Sequence, residues 1–323
     1  MSGGLGNVGN TCYLNTTLQC LGNCPEFLKY ILQDSHNDSN NMASYLHEIY
    51  KELWVHKHSI IPNRLLRYLK DTIKSMNLFE QNDINEFLSV LIDKLNQHVS
   101  KPIKITKKDL ITRYNYSTSE YDVQRLKMDA SWYEKTGKEY SPLVPMFNGQ
   151  TISQIVCGAC DKIFHNYEIY LNLMLPVTDH TNTIYDCFDE YFKDEEINND
   201  HAIWTCDTCH QKHVSNKSTK LWRNPKILIV SLKRFTPELK KNNKRIDIPE
   251  ELDISNYSLT KKSIKYTLRA VAHHSGSFDS GHYHAVCKNQ DDKWIDYDDL
   301  NVREVQAPSH THGYVFFYCL NVA

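Results

Sequence analysis

Along this chain the spacing of apolar positions changes character once, from helical recurrence in the first third to short runs and alternations later on. Leu14, Leu18 and Leu21 recur at i, i+4 and i+7 and predict a helix over residues 12–33, with a break near Cys24-Pro25. Leu46, Ile49 and Leu53 mark a helix over 42–56, and Leu65, Leu69 and Ile73 another over 63–76. Leu88, Leu91, Ile92 and Leu95 mark a fourth. Asp83 stands at its N-cap position, and Glu86 follows at capping-box spacing, a purely structural account of both carboxylates. Val123, Leu126, Ala130 and Tyr133 predict one more helix over 122–136. Residues 34–41 read as a polar loop, and 101–125 as a basic, tyrosine-rich surface excursion.

From residue 147 the signal is β. Residues 154–156 are strand-like, 167–175 alternate up to Pro176 and read as one strand, and 184–193 read as a short helix before an acidic loop at 194–200. Residues 227–232 (Ile-Leu-Ile-Val-Ser-Leu) are an apolar run of buried-strand length. Further strands are expected at 266–273, 282–289, 294–297 and 314–320. An α-rich beginning, a β-rich remainder and a cysteine knot between them predict an α+β architecture.

The 323 residues are 41% hydrophobic and 24% charged, enough for one large domain or two ordinary ones with a full core. A net charge of −2 gives no footprint for nucleic acid or an anionic membrane. No run of eighteen apolar residues occurs, so no transmembrane helix is expected. No basic segment followed by an apolar run opens the chain, so secretion is not expected; the expected location is cytoplasmic and/or nuclear. Ten cysteines in such a chain point to metal binding or catalysis before a disulfide framework.

Four of them, Cys157, Cys160, Cys206 and Cys209, form two C-x-x-C pairs. Four thiolates suit a closed tetrahedral zinc site, and a closed site leaves no position for substrate, so the expected role is structural. His165, His210 and His213 lie near these pairs in sequence and read as surface histidines.

Cys12 follows Gly3, Gly4, Gly6 and Gly9 and opens the first helical pattern. Glycines there let the loop take positive φ or approach another backbone closely. A helix N-terminus favours a thiolate, and amides before it can hold an oxyanion, so Cys12 is either a nucleophile or a small buried cysteine starting a core helix. A thiol nucleophile needs an imidazole and a group that orients it. His282 and His284 are two apart and share one strand face, so periodicity does not choose between them; Asp298 is on the strand expected to return beside them.

Taken together, these stretches resemble the catalytic domain of the ubiquitin-specific proteases, a papain-like deubiquitinase family. Gly4 through Gln19 is similar to the family's box G-L-x-N-x-G-N-T-C-Y-x-N-x-x-L-Q, and Gln81 through Phe87 to Q-x-D-x-x-E-F. Leu228 through Phe235 resembles L-I-x-x-L-K-R-F, and Gly281-His282-Tyr283 with Trp294 through Val302 resembles G-H-Y…W-x-x-[FY]-D-D-x-x-V. These boxes and the cysteine pairs arrive in the family's order across residues 4–318. The resemblance implies a papain-like fold in one catalytic domain: a helical thumb over about 1–145, zinc-bearing β fingers over 146–225 and a β palm over 226–323. It implies Cys12 as nucleophile, His282 as base, Asp298 as orienter with Asp299 as helper, and Asn7 beside the Cys12 N–H in the oxyanion hole. Asp83, Glu86 and Tyr283 are implied in holding the arginine-bearing tail of ubiquitin, and Cys157, Cys160, Cys206 and Cys209 in holding one structural Zn²⁺. The implied reaction is hydrolysis after the C-terminal glycine of ubiquitin; the alternative is a ubiquitin-binding module of the same fold that does not cut. The partners expected are ubiquitin or ubiquitinated proteins, with no nucleic acid and no membrane. Asn85 and Thr16 fall in variable places of the boxes, residues 101–121 match nothing in the family, and no appended module is expected after the last strand.

Overall fold

The computed structural model describes residues 2–33, 41–101, 120–137, 140–197, 204–260, 262–278 and 280–321. Most of the loop expected at 34–41, much of the excursion at 101–125 and the end of the loop at 194–200 lie outside these residues.

Helix α1 (Cys12–Gly22) and α2 (Pro25–Ile31) are separated where Cys24-Pro25 predicts a break, because Pro25 fits the first turn of a new helix and not the interior of an old one. Helix α3 (Met42–Tyr50) runs on into a π-helical turn, Lys51–His56. Helix α4 (Asn63–Thr72) stops short of residue 76, since Ile73 is extended; Ile73 and Met76 stay buried, so the apolar stripe outlasts the helix. In α5 (Ile84–Val99) Asp83 is the N-cap, accepting from the Asn85 amide at 2.8 Å, and the residue-86 amide plays no part in the cap. Helices α6 (Glu120–Thr136) and α7 (Leu143–Phe147) complete the first half.

Two sheets follow. The smaller has the order β2-β1-β5-β4, from β1 (Gly149–Cys157), β2 (Ile163–Tyr170), β4 (Glu195–Ile197) and β5 (Ser215–Arg223), all antiparallel. The larger takes β3 (Asn172–Pro176), β6 (Ile227–Lys233), β7 (Glu251–Asp253), β8 (Lys265–Gly276), β9 (Gly281–Lys288), β10 (Trp294–Asp298), β11 (Asn301–Val305) and β12 (Gly313–Leu320). Its order is β11-β10-β9-β8-β12-β6-β3, with β7 against β8; among the described residues only its β3–β6 pair is parallel. The strand expected at 167–175 is therefore two strands in different sheets. The alternation continues across the bend at Leu171, so periodicity carries no mark of the change.

Alternate residues of the large sheet enter two cores. Ala270, Ala272, Ala285, Ile295 and Phe317 face α1 and the other early helices. Val271, Val286, Trp294, Phe316 and Tyr318 face α8 (Ile184–Phe192) and its neighbours. A strand that feeds a core on each face reads as a continuous apolar run, which is why β6 and β12 stand out in the sequence.

Candidate active site

Cys12 is the first residue of α1 and is buried, with 2% of its surface exposed. The loop before it is pinned to the two-residue turn between β10 and β11. Leu5 N donates to Asp299 O at 3.0 Å, and a Cβ on Gly4 would sit 2.6 Å from that oxygen, so only glycine fits. Of the four early glycines only Gly9 takes a positive φ, 97°. Gly3, Gly4 and Gly6 instead admit neighbours too close for any side chain.

The Asp299 carboxylate completes this seam. With Asp299 at φ 54°, Oδ2 accepts from Asn7 Nδ2 at 3.0 Å and Oδ1 from Asn15 Nδ2 at 2.8 Å. Asn7 Oδ1 in turn accepts from Gly9 N and Thr11 N, each at 3.1 Å. Asn7 is thus held at both ends of its amide, five residues before Cys12, and Nδ2 keeps one hydrogen beyond that given to Asp299.

His282 opens β9. A Cβ on Gly281 would come within 2.1 Å of His274 Nε2, so glycine at 281 lets the strand pass beneath that ring. His282 Nε2 donates to Asp298 Oδ1 at 2.6 Å, and the Cys12 thiol lies beside the ring. With Nε2 committed to Asp298, Nδ1 is the nitrogen open to the sulfur. The neighbouring Cys12 thiol, then the bond to Asp298, outweigh partial burial and raise His282 from its ordinary value to about 9. The imidazolium is therefore the resting form at neutral pH.

Asp83 and Tyr283 lie near each other beside this site. One Asp83 oxygen caps α5, and the other accepts from Tyr314 Oη at 2.7 Å. Glu86 is exposed in the first turn of α5. Tyr283 is buried, its ring 4.5 Å from that of His274, and burial, with Asp83 near it, pushes its hydroxyl far above the ordinary value. Sequence reasoning missed His274 and Tyr314, which carry no periodic signal. It also missed Asn15, whose position in the first box was a usable signal.

The four paired cysteines meet at the end of the small sheet formed by Cys157 of β1. Their sulfurs all lie within 4.8 Å of one another, with Cys157–Cys209 at 3.9 Å and Cys160–Cys206 at 3.7 Å. The two knuckles repeat one geometry. Asp161 N donates to Cys157 O and His210 N to Cys206 O, both donors at positive φ (54° and 56°), while Ala159 N and Thr208 N point at the first sulfur of each pair. A zinc–sulfur tetrahedron with bonds of about 2.3 Å has edges of about 3.8 Å, so this donor set fits Zn²⁺.

Comparison with known proteins gives a consistent result. The family described as ubiquitin carboxyl-terminal hydrolase matches residues 3–318. Ubiquitin carboxyl-terminal hydrolase Usp2 of Drosophila melanogaster is 28% identical over 333 residues, 98% of this chain and 34% of that protein. Ubiquitin carboxyl-terminal hydrolase 21 of Homo sapiens is 29% identical over 348 residues, 98% of this chain and 61% of that protein. The chain thus spans less than two thirds of these relatives. Among solved structures, the SAGA Ubp8/Sgf11/Sus1/Sgf73 DUB module bound to ubiquitin aldehyde shares the fold, with a TM-score of 0.76 at 22% identity over 99% of this chain and 70% of that one. A yeast SAGA DUB module structure gives 0.77 at 23% over 99% and 68%.

Proposed function

Because this chain belongs to the ubiquitin carboxyl-terminal hydrolase family, we propose that it is a thiol-dependent deubiquitinase that cleaves the isopeptide or peptide bond after the C-terminal glycine of ubiquitin. The observation that carries the reading is that Cys12, at the N-terminus of α1, lies beside His282, which is bonded to Asp298. Cys12 as thiolate attacks the glycine carbonyl carbon. The oxyanion is held by the Cys12 backbone N–H and the remaining Nδ2 hydrogen of Asn7, which Asp299 keeps in place. His282 gives its proton to the departing lysine amine. Water, losing a proton to His282, then opens the thioester and frees the ubiquitin carboxylate and the thiol. Asp83, Glu86 and Tyr283 line the approach of the ubiquitin tail, where carboxylates suit guanidinium groups.

On this reading residues 1–145 act as thumb, 146–225 as zinc-bearing fingers and 226–323 as palm, although β3 from the middle segment pairs within the large sheet. One Zn²⁺ held by Cys157, Cys160, Cys206 and Cys209 fixes the end of the small sheet and takes no part in the reaction. None of the ten cysteines is joined in a disulfide, and the location proposed is the cytoplasm and/or nucleus.

The test is ubiquitin bearing a C-terminal electrophile, followed by intact mass. The full chain gains one ubiquitin, Cys12→Ala gains none, and His282→Ala is labelled at least about 100-fold more slowly. Binding of the probe by the unaltered chain without a covalent adduct would replace this reading with that of a module that holds ubiquitin and does not cut it.

A further inference from the structure

The two histidines that periodicity leaves equivalent have matching partners. His282 and His284 on β9 face Asp298 and Asp296 on β10, so His-x-His meets Asp-x-Asp across two antiparallel strands. The outer pair is half exposed beside Cys12. In the inner pair Asp296 is buried and His284 is a quarter exposed, and the pair belongs to a longer row. His284 Nδ1 donates to Asp296 Oδ1 at 2.7 Å, and Asp296 Oδ2 accepts from Arg303 Nε at 3.0 Å and Nη2 at 2.8 Å. On the other side the His273 ring stacks on His284, centroids 4.8 Å apart and planes at 19°, while His273 Nε2 donates to Ser309 O at 3.0 Å. His273 stands opposite His284, and Arg303 opposite Asp296, in the strand registers. One polar row therefore crosses β8, β9, β10 and β11.

Its place in the sheet is what matters. The backbone ladder between β9 and β10 runs from Trp294↔Lys288 to Tyr297↔Ala285 and ends there. Toward the active site β9 is paired only with β8, as far as Gly281, and β10 only with β11, as far as Asp298. His282 and Asp298 thus stand on strand ends with no mutual backbone bonds. The His284–Asp296 bond lies two residues in from each of them. We propose that the row His273–His284–Asp296–Arg303 is a positioning brace that fixes the spacing of β9 and β10, and through it the His282–Asp298 bond and the orientation of the imidazole toward Cys12. The brace rests on the deubiquitinase reading for its consequence in catalysis, though not for its effect on His282.

The chemistry suits the task. Only 4% of the Asp296 side chain is exposed. Burial alone favours its protonated form; His284 and Arg303 outweigh burial and hold the carboxyl below its ordinary value. A buried carboxylate with two fixed donors tolerates little displacement, because moving either strand unpairs a charge. His273, which faces this row from β8, is kept neutral by burial and by nearby His284, at about 3, so it adds no positive charge against His284.

The experiment compares the full chain with Asp296→Asn, Arg303→Ala and Arg303→Lys, using ubiquitin with a fluorogenic C-terminal amide across pH, together with NMR titration of the His282 ring protons. For Asp296→Asn, kcat is expected to fall roughly 10- to 100-fold with KM little changed, as a misplaced base requires. The alkaline limb of kcat/KM, set near 9 by His282, is expected to move about one unit toward the ordinary histidine value of about 6.5. Arg303→Ala, on the exposed end of the row, is expected to move the limb in the same direction, and Arg303→Lys to restore most of it. A His282 titration unchanged in both Asp296→Asn and Arg303→Ala overturns the brace, whatever happens to stability. An Asp296→Asn chain that does not fold leaves Arg303→Ala to decide by the same titration. An unaltered chain without turnover overturns the functional reading, while the NMR titration still decides the brace.

Discussion

In the large sheet β6, β8 and β12 bury side chains on both faces, whereas in the small sheet β2 is open along most of its length and Ile163 is 44% exposed. The small sheet is buried mainly toward its base. There Leu221 enters the core beneath α8, Gln150 Nε2 donates to Met128 O, and Arg223 pairs with Asp129 while lying 4.9 Å over the Trp132 ring. At the other end the four sulfurs replace a core. Burial thus holds the sheet that carries His282 and Asp298, and on the proposed reading metal-bound thiolates hold the end of the other sheet. A region with few buried apolar side chains can still be ordered when its ends are tied.

The largest test of this contrast is metal removal. Structural zinc in small domains is worth about 10–16 kcal/mol at neutral pH. A chelator, or Cys206→Ser, is expected to abolish amide-exchange protection toward the Cys157 end of Gly149–Cys157 and in Ser215–Arg223. Protection in Ile227–Lys233 and Gly313–Leu320 is expected to stay. Loss of protection in both sheets together would mean that the thiolates support the whole molecule. Next in size is Phe317→Ala, which empties a fully buried site between β6 and β8. It is expected to lower global stability by about 3–5 kcal/mol in urea titration. The smallest effect is expected for Ile155→Ala, half-buried in β1 between Phe164 and Lys217, at about 1 kcal/mol or less. Equal losses for the two substitutions would erase the distinction between the sheets.

The same contrast explains what could be read from the residues alone. β6 and β12 are apolar runs because both their faces are buried, and α5 shows its stripe because one face is. β5, Ser-Asn-Lys-Ser-Thr-Lys-Leu-Trp-Arg, buries little beyond Ser215 and Leu221 and has no such signature. β4 has three residues, two of them exposed. The cysteine pairs were legible because metal ligation fixes local spacing. The grouping of Cys12, His282 and Asp298 depends on contacts between distant segments, which periodicity does not encode; the family boxes supplied it. The inner pair had a signal that went unused. His-Tyr-His and Asp-Tyr-Asp share a two-residue repeat, and two repeats on adjoining strands make two pairs as readily as one.

The seam at Asp299 has a consequence for biosynthesis. Asn7 and Asp299 are 292 residues apart. At 5–20 residues per second the ribosome needs roughly 15–60 s to pass from one to the other. On the proposed reading the Cys12 thiol emerges first and waits without its imidazole, and β12, which is inserted between β8 and β6, emerges after both. If the proposed activity holds, a nascent chain is inert toward conjugates around it, and a message that stops before His282 yields a sulfhydryl with no partner to arm it.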